Sequence, residues 1–319
     1  MARARWLPPM LATLVDAPAW LAQPRQGWVY ERKLDGLRCL AVRNGATVEL
    51  WSRNHNSFLD RFPEVATAVG TLAPDSFTLD GELVAHDGSD FVGFGQLQQH
   101  QASHRVVYGV FDLLHLLGED TTSLAQTDRR RLLTQVVTDG PVLRPVDELP
   151  GDPGDLLASA CSQGWEGLVA KRTAAPYTAG RSGKWAKLKC SASQELVIGG
   201  WTEPQGSRAH IGAVLVGYHE DGALHYAGKV GSGFTTETLA RLAGALAPLQ
   251  RADSPFAERV REPRVHWVEP RLVANVAFSE WTRDGRLRHP RFEGLRPDKD
   301  PATVVRERPA PGQGFPGEL

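Results

Sequence analysis

Glu31-Arg32-Lys33-Leu34-Asp35-Gly36-Leu37-Arg38 is the stretch on which the reading of this chain turns. It gathers cations and acids at a glycine turn between two apolar, strand-like runs. Lys33 is a candidate nucleophile. An amine attacks phosphorus only when neutral, so burial or neighbouring cations, a metal included, must bring its pKa down toward working pH. Its partners therefore have to come from elsewhere in the chain. Alone, Lys-x-Asp-Gly is cheap, and a solvated turn closed by Gly36 is the competing account.

Working outward, Arg38-Cys39-Leu40-Ala41-Val42-Arg43 and Thr47-Val48-Glu49-Leu50-Trp51 flank Asn44-Gly45-Ala46, which reads as a hairpin and puts Lys33 in the turn before a sheet. Residues 62–72 read as a helix with Pro63 in its first turn, and Phe77 to Val84 as an alternating strand closed by Asp87-Gly88. Val106 to Asp112 form a buried strand, in which an aromatic such as Phe111 is ordinarily core. Residues 128–137 and 153–163 read as amphipathic scaffold helices, the second stopped by Gly164. Glu166 stands at the entrance of the strand Gly167-Leu168-Val169-Ala170-Lys171, where its hard oxygens suit Mg²⁺. Lys187-Leu188-Lys189 as a strand puts both amines on one face, and they repel unless an anion lies between them. Strands near 195–201, 211–218, 224–230, 265–268 and 273–281, with one helix near 236–249, read as a small five-stranded Greek-key barrel of OB type. Gly231-Ser232-Gly233 lacks the Gly-Lys-Ser/Thr of a phosphate loop and reads as a turn.

At 319 residues, 41% hydrophobic and 23% charged, the chain has room for two domains with separate cores. Its N-terminal apolar run is broken by Pro8-Pro9 and ends at Asp16, too short to span a membrane and without a clear signal cleavage site, so a cytoplasmic protein is expected. Three cysteines, Cys39, Cys161 and Cys190, make no Cys-x-x-Cys pair and are expected to be reduced and structural. The net charge of −1 gives no global pull on nucleic acid, which leaves local patches to do that work. Residues 181–189 carry four cations and no acid, and residues 286–299 carry five Lys or Arg against two acids.

The lysine cluster belongs to an ordered set: Asp80-Gly81-Glu82-Leu83, Val110-Phe111-Asp112-Leu113-Leu114, Glu166 to Lys171, Lys184-Trp185-Ala186-Lys187-Leu188-Lys189 and Arg296-Pro297-Asp298-Lys299. The set resembles the covalent nucleotidyltransferases, and most closely the ATP-dependent DNA ligases of bacterial end-joining repair. The resemblance runs from Pro9-Met10-Leu11-Ala12 to Asp300-Pro301. It implies an α+β adenylation domain over 1–190, with antiparallel sheets and helices. An OB-fold β-barrel over 191–305, a flexible tail over 306–319 and a hinge at Ser191-Ala192-Ser193 complete it.

The same resemblance implies the site. Lys33 would take AMP from ATP, with Lys187 and Lys189 on the α-phosphate and helping to keep Lys33 neutral. Glu31 would accept a hydrogen bond from the adenine amino group, and Phe111 would stack on the base. Arg38 would join the nucleotide contacts, Glu82 would lie against the ribose near metal, and Glu82 and Glu166 would hold Mg²⁺ or Mn²⁺. Arg53 would contact phosphate of the nicked strand, although the family often has Gly where this chain has His55. Arg296 and Lys299 would meet the β and γ phosphates and orient pyrophosphate, as the barrel swings over and later reopens. ATP rather than NAD is the expected donor, and nicked or broken duplex DNA the substrate. A Ku-type end-binding ring and a repair polymerase are candidate recruiters of an expected stand-alone monomer, located at the nucleoid with no membrane partner.

Two other classes stay open on sequence alone. RNA ligation or RNA capping shares the nucleophile cluster; against it stands Arg288-His289-Pro290-Arg291-Phe292-Glu293-Gly294, which resembles end-joining ligases. A plain nucleic-acid-binding module would use the same lysines only to touch phosphate, would weaken steeply with salt and would never acquire labelled AMP.

Overall fold

The longer strands of the first unit are rich in buried apolar residues, and they pair into two sheets. The computed structural model describes residues 3–88, 90–92, 105–190, 192–204, 210–282 and 284–308. It divides into two units, Met1–Cys190 and Ser191–Glu307.

In the first unit, a seven-stranded sheet has the order Thr47–Ser52, Leu37–Asn44, Ser76–His86, Arg105–Leu116, Glu119–Asp120, with two short strands pairing off this path. Asn44 faces Thr47 across the hairpin, and Gly45 takes φ +60° at its turn. The helices Pro63–Gly70 and Gln126–Val136 cover one face and share a core of Leu37, Phe62, Val65, Phe77, Tyr108 and Leu133. Each such burial stabilises by about 1.5–3 kcal/mol.

A second, five-stranded sheet has the order Met10–Leu14, Gly180–Lys189, Gly167–Arg172, Trp28–Arg32, Glu148–Leu149. Residues 33–36 carry the chain from Trp28–Arg32 in this sheet to Leu37–Asn44 in the larger one. Lys33 therefore sits where the chain crosses between sheets. A third cluster, Met10, Leu40, Leu114, Tyr177 and Trp185, draws on both sheets, with Phe111 packed against it.

The second unit is built on Ala192–Thr202, which pairs with Ala213–Glu220 on one side and Val265–Phe278 on the other; Ala223–Val230 extends the sheet, and Arg291–Leu295 pairs with Val265–Phe278. The two expected strands at 265–268 and 273–281 are one. Glu269-Pro270-Arg271 interrupts the apolar pattern as a bulge, where the register against Ala192–Thr202 shifts, rather than as a loop. Trp281 belongs instead to a two-residue strand paired with Leu287–Arg288.

The segments at the expected hinge and tail carry structure of their own. Ser191 lies outside the described residues; Ala192 and Ser193 open the strand Ala192–Thr202 and pair with Phe278 and Ala277. Arg306 lies over the Trp281 ring at 4.5 Å, and the Glu307 N–H donates to Gln194 Oε1 at 2.9 Å. The chain is thus held to Glu307, later than the expected tail start at 306; residues 309–319 lie outside the described residues.

The expectation of three reduced cysteines is corrected as well. Cys161 and Cys190 form a disulfide with Cα atoms 5.1 Å apart, and Cys39 is buried and free. The helix Pro153–Ser162 and the strand Gly180–Lys189 feed one core with Ala160, Leu168 and Leu188, which brings their C-terminal ends together. Among the described residues no helix is long and apolar enough to cross a membrane.

Candidate active site

Strand pairing, not sequence proximity, assembles the site around Lys33. The Lys33 N–H donates to Gly167 O at 2.9 Å, which anchors the crossing segment beside the start of Gly167–Arg172. Gly167 pairs with Lys189, and Val169 pairs with both Lys187 and Glu31. Two glycines allow this closeness: a Cβ on Gly36 would meet Leu83 O at 2.0 Å, and one on Gly167, at φ +145°, would meet Leu188 O at 2.0 Å. Gly36 is therefore required by a backbone approach between elements, not by a solvated turn.

The Lys33 amine donates to Glu166 Oε2 in a short ion pair, and Lys189 Nζ lies 3.6 Å from Glu166 Oε1. Burial raises a carboxyl, but Lys33, Lys189 and Lys187 outweigh it and hold Glu166 below the ordinary range. For Lys33 the outcome reverses the sequence expectation. Burial pulls the amine down, yet Glu166, with Asp35 and Glu82 adding to it, holds it above the ordinary lysine range. In this state the amine is protonated at neutral pH, because a carboxylate has taken the place expected for cations.

Glu31 is buried, with the Lys171 amine 2.9 Å from Oε1 and 2.7 Å from Oε2. Burial pushes the Glu31 carboxyl up against the pull of Lys171. The same amine donates to Phe111 O at 3.0 Å and lies 4.7 and 4.6 Å from the ring centroids of Phe111 and Trp185. No role was assigned to Lys171 from the sequence. It sits diagonally from Glu31 on one sheet face, two residues beyond Val169, so only the register reveals the pair.

Arg38 donates to both oxygens of Asp80, at 2.6 and 2.5 Å, and Tyr177 donates to Asp80 Oδ2 at 2.6 Å. The Arg38 guanidinium lies 4.6 Å from the Phe111 centroid, and Phe111 meets Trp185 edge-on at 5.9 Å. Glu82 pairs in register with Arg38 and adds to the field at Lys33. Lys33, Lys187, Lys189, Glu31, Arg38, Glu82, Phe111 and Glu166 are thereby gathered around the space between the two sheets.

Three remaining expectations fall on other segments of the chain. Arg53 occupies the turn after Thr47–Ser52, followed by His55 at φ +61°, the region glycine favours. Arg296 and Lys299 belong to the second unit. Arg296 donates twice to Asp298, at 2.9 and 2.8 Å, and Lys299 pairs with Glu195 at 2.9 Å. The basic run 286–299 is also less basic than it reads, because Glu280 and Glu195 join Arg288 and Lys299 from outside it.

A lysine at the crossing of two sheets, set among carboxylates and cations and followed by a small barrel, defines a nucleotidyltransferase domain joined to an OB fold. Residues 9–189 match the family described as ATP dependent DNA ligase domain, and residues 207–299 its ATP dependent DNA ligase C terminal region. The chain belongs to the ATP-dependent DNA ligases. The Multifunctional non-homologous end joining protein LigD of Pseudomonas aeruginosa is 41% identical over 316 residues, covering 96% of this chain and 37% of the relative. The Multifunctional non-homologous end joining DNA repair protein LigD of Mycobacterium tuberculosis is 39% identical over 306 residues, covering 94% and 40%. The chain thus spans about two fifths of the length of these curated relatives. A solved structure titled "mycobacterial DNA ligase D complexed with ATP and MES" is similar with a TM-score of 0.69 at 36% identity, covering 94% of this chain and 98% of that one.

Proposed function

We infer that the chain seals breaks in duplex DNA by three nucleotidyl transfers. Lys33 first gives its ammonium proton to solvent; the neutral Nζ then attacks the α-phosphorus of ATP, a P–N bond forms, the bond to pyrophosphate breaks, and the extra proton on the bonded nitrogen passes to solvent. The AMP passes to a 5′-phosphate at the break, and a 3′-hydroxyl then displaces AMP to join the strand. The observation that carries this reading is the convergence of Lys33, Lys189 and Lys187 on Glu166, on the same sheet that pairs Glu31 with Lys171 against the ring of Phe111. It offers an amine, an anion site and an aromatic face in one place.

The residues divide the work by position. Lys187 and Lys189 hold the α-phosphate, while Phe111 and Glu31 take the base, with Lys171 fixing Glu31. Arg38 braces the ring of Phe111 and is itself braced by Asp80. Arg296 and Lys299 serve the leaving pyrophosphate. In each transfer the gain comes from alignment and charge neutralisation.

Among the described residues no group of three or more His, Cys, Asp or Glu stands ready for a metal. A pair of carboxylates fits Mg²⁺ nonetheless, since that ion keeps several waters and completes its shell with substrate phosphates. Glu82 and Glu166 would hold it, and the ion would neutralise developing phosphate charge. With Glu166 so engaged, the field that keeps Lys33 protonated weakens.

The relatives' names support end joining as the setting and DNA rather than RNA as the substrate; recruitment at the nucleoid by a Ku-type ring and a repair polymerase is part of the same proposal. The test is incubation with α-labelled ATP and Mg²⁺, followed by nicked DNA or nicked RNA in parallel. The wild type should acquire acid-labile label and seal the DNA nick, and Lys33→Ala should acquire none. Labelling of Lys33→Ala at the wild-type rate, or sealing confined to RNA, would overturn the reading.

A further inference from the structure

His55 adopts a backbone conformation suited to glycine, and two indoles hold it there. The turn Ser52-Arg53-Asn54-His55 closes through the His55 N–H to Ser52 O at 3.0 Å, and the Asn56 N–H donates to Ser52 Oγ at 2.9 Å. At φ +61° a side chain is unfavourable where glycine is not. The imidazole lies 4.5 Å from the Trp6 ring at 24° and 4.4 Å from the Trp51 ring at 49°.

Trp51 comes from the strand leading into the turn, whereas Trp6 comes from the N-terminal segment. That segment is tied along the larger sheet. The Ala4 N–H donates to Asn44 Oδ1 at 3.1 Å, Asn44 Nδ2 donates to Ala4 O at 2.9 Å, and the Thr78 hydroxyl donates to Arg5 O at 3.0 Å. Trp6 Nε1–H then donates to Ser52 O at 3.3 Å, the same carbonyl that closes the turn.

We propose that Trp6 and His55 are positioning residues which clasp this turn so that Arg53 meets a phosphate of nicked duplex DNA. The proposal rests on the DNA-ligase reading. The clasp supplies from side chains the order that a glycine would supply from backbone freedom, and it makes the N-terminal segment part of the DNA-binding apparatus. A merely structural role for Trp6 would loosen the sheet edge whichever residue stood at 55. A positioning role makes Trp6 matter most while His55 needs holding, with the long bond to Ser52 O as the minor part that persists beside glycine.

The test is a double-substitution cycle on the full chain, read by the dissociation constant for nicked duplex, the KM and kcat for nick sealing, and the rate of self-adenylation. Trp6→Ala should weaken nicked-duplex binding and raise KM about fivefold, the scale of one lost aromatic stack, with kcat and self-adenylation unchanged. In a His55→Gly background, Trp6→Ala should change binding by less than about twofold, because glycine keeps the turn unaided. An equal loss in both backgrounds, an unchanged KM, or a parallel fall in self-adenylation would overturn the clasp. Because binding is read without ligation, a wild type that binds but never seals sinks the ligase reading and leaves the clasp to be judged on binding. A wild type that does not bind nicked duplex sinks both.

Discussion

Lys33 finds its carboxylate 133 residues away, whereas Arg296 finds its own two residues on. Both are cations latched by acids, but the latches are made differently. In the first unit, three antiparallel strands in fixed register bring Glu31, Lys171, Lys187, Lys189 and Glu166 together, so the pairs are as rigid as the sheet. In the second, Arg296 and Asp298 are neighbours on one segment, and Glu195 pairs with that segment's cations from a strand. By this contrast the first site is preorganised to hold charge in place, whereas in the second a phosphate would have to displace a local carboxylate that is itself buried.

Removing the long-range latch is the larger perturbation. Glu166→Gln should lower self-adenylation about 100-fold, the usual cost of losing one strong electrostatic group at a reacting centre. It should also make Lys33 more acidic, because burial then prevails over the weaker fields of Asp35 and Glu82. Acylation of Lys33 by an amine-reactive reagent, followed against pH, should become fast at lower pH in the variant than in the wild type. An unchanged pH profile would detach Glu166 from control of the nucleophile. The stability contribution has the same origin. The depressed Glu166 carboxyl stabilises above the ordinary glutamate range and loses its effect as pH falls through its folded value. The raised Lys33 amine stabilises below the ordinary lysine range and loses its effect as pH rises through its folded value, so the pair is intact across neutral pH.

The local latch should give a step-selective effect. Arg296→Ala with Lys299→Ala should slow self-adenylation at least about tenfold, the scale of one or two lost charge-assisted phosphate contacts. Sealing of a nick supplied already adenylated should stay near normal, since no pyrophosphate remains to be held. Normal self-adenylation with failed sealing of that substrate would mean that these cations grip DNA backbone instead, and the comparison between the two latches would collapse.

Much of this was legible in the chain, and the limits of legibility follow the same division. Period-two alternation located nearly every long strand, and Asn44-Gly45 fixed the hairpin, because those signals act over a few residues. The spacing of Lys33, Glu82, Phe111, Glu166, Lys187 and Lys189 assigned them to one expected site through a family likeness. What alternation and spacing do not carry is register. The Glu31–Lys171 pair, the Arg38–Asp80–Tyr177 set and the protonated state of Lys33 all arise from which residue faces which across strands far apart in sequence. Arg291–Leu295 is a strand for another reason that local pattern does not carry: it lies in a run of charges that reads as a basic patch, and only its pairing with Val265–Phe278 makes it sheet.

The smallest expected effect concerns whether the register needs covalent help. Cys190 follows Lys189 directly, and its N–H donates to Glu166 O at 3.0 Å, so the bond to Cys161 closes a loop containing Glu166, Lys171, Lys187 and Lys189. Such a loop should stabilise by about 2–4 kcal/mol when oxidised, chiefly by restricting the unfolded chain. Cys161→Ser should therefore lower the denaturation midpoint without reductant and leave it nearly unchanged with reductant. Self-adenylation well below the melting range should change less than about twofold, because constraining the unfolded state adds nothing to a sheet already in register. Gly167 still pairs with Lys189, and the Lys33 N–H still finds Gly167 O. A large loss of adenylation in a variant that remains folded would show that the disulfide, rather than strand pairing, sets the distance between Glu166 and its lysines.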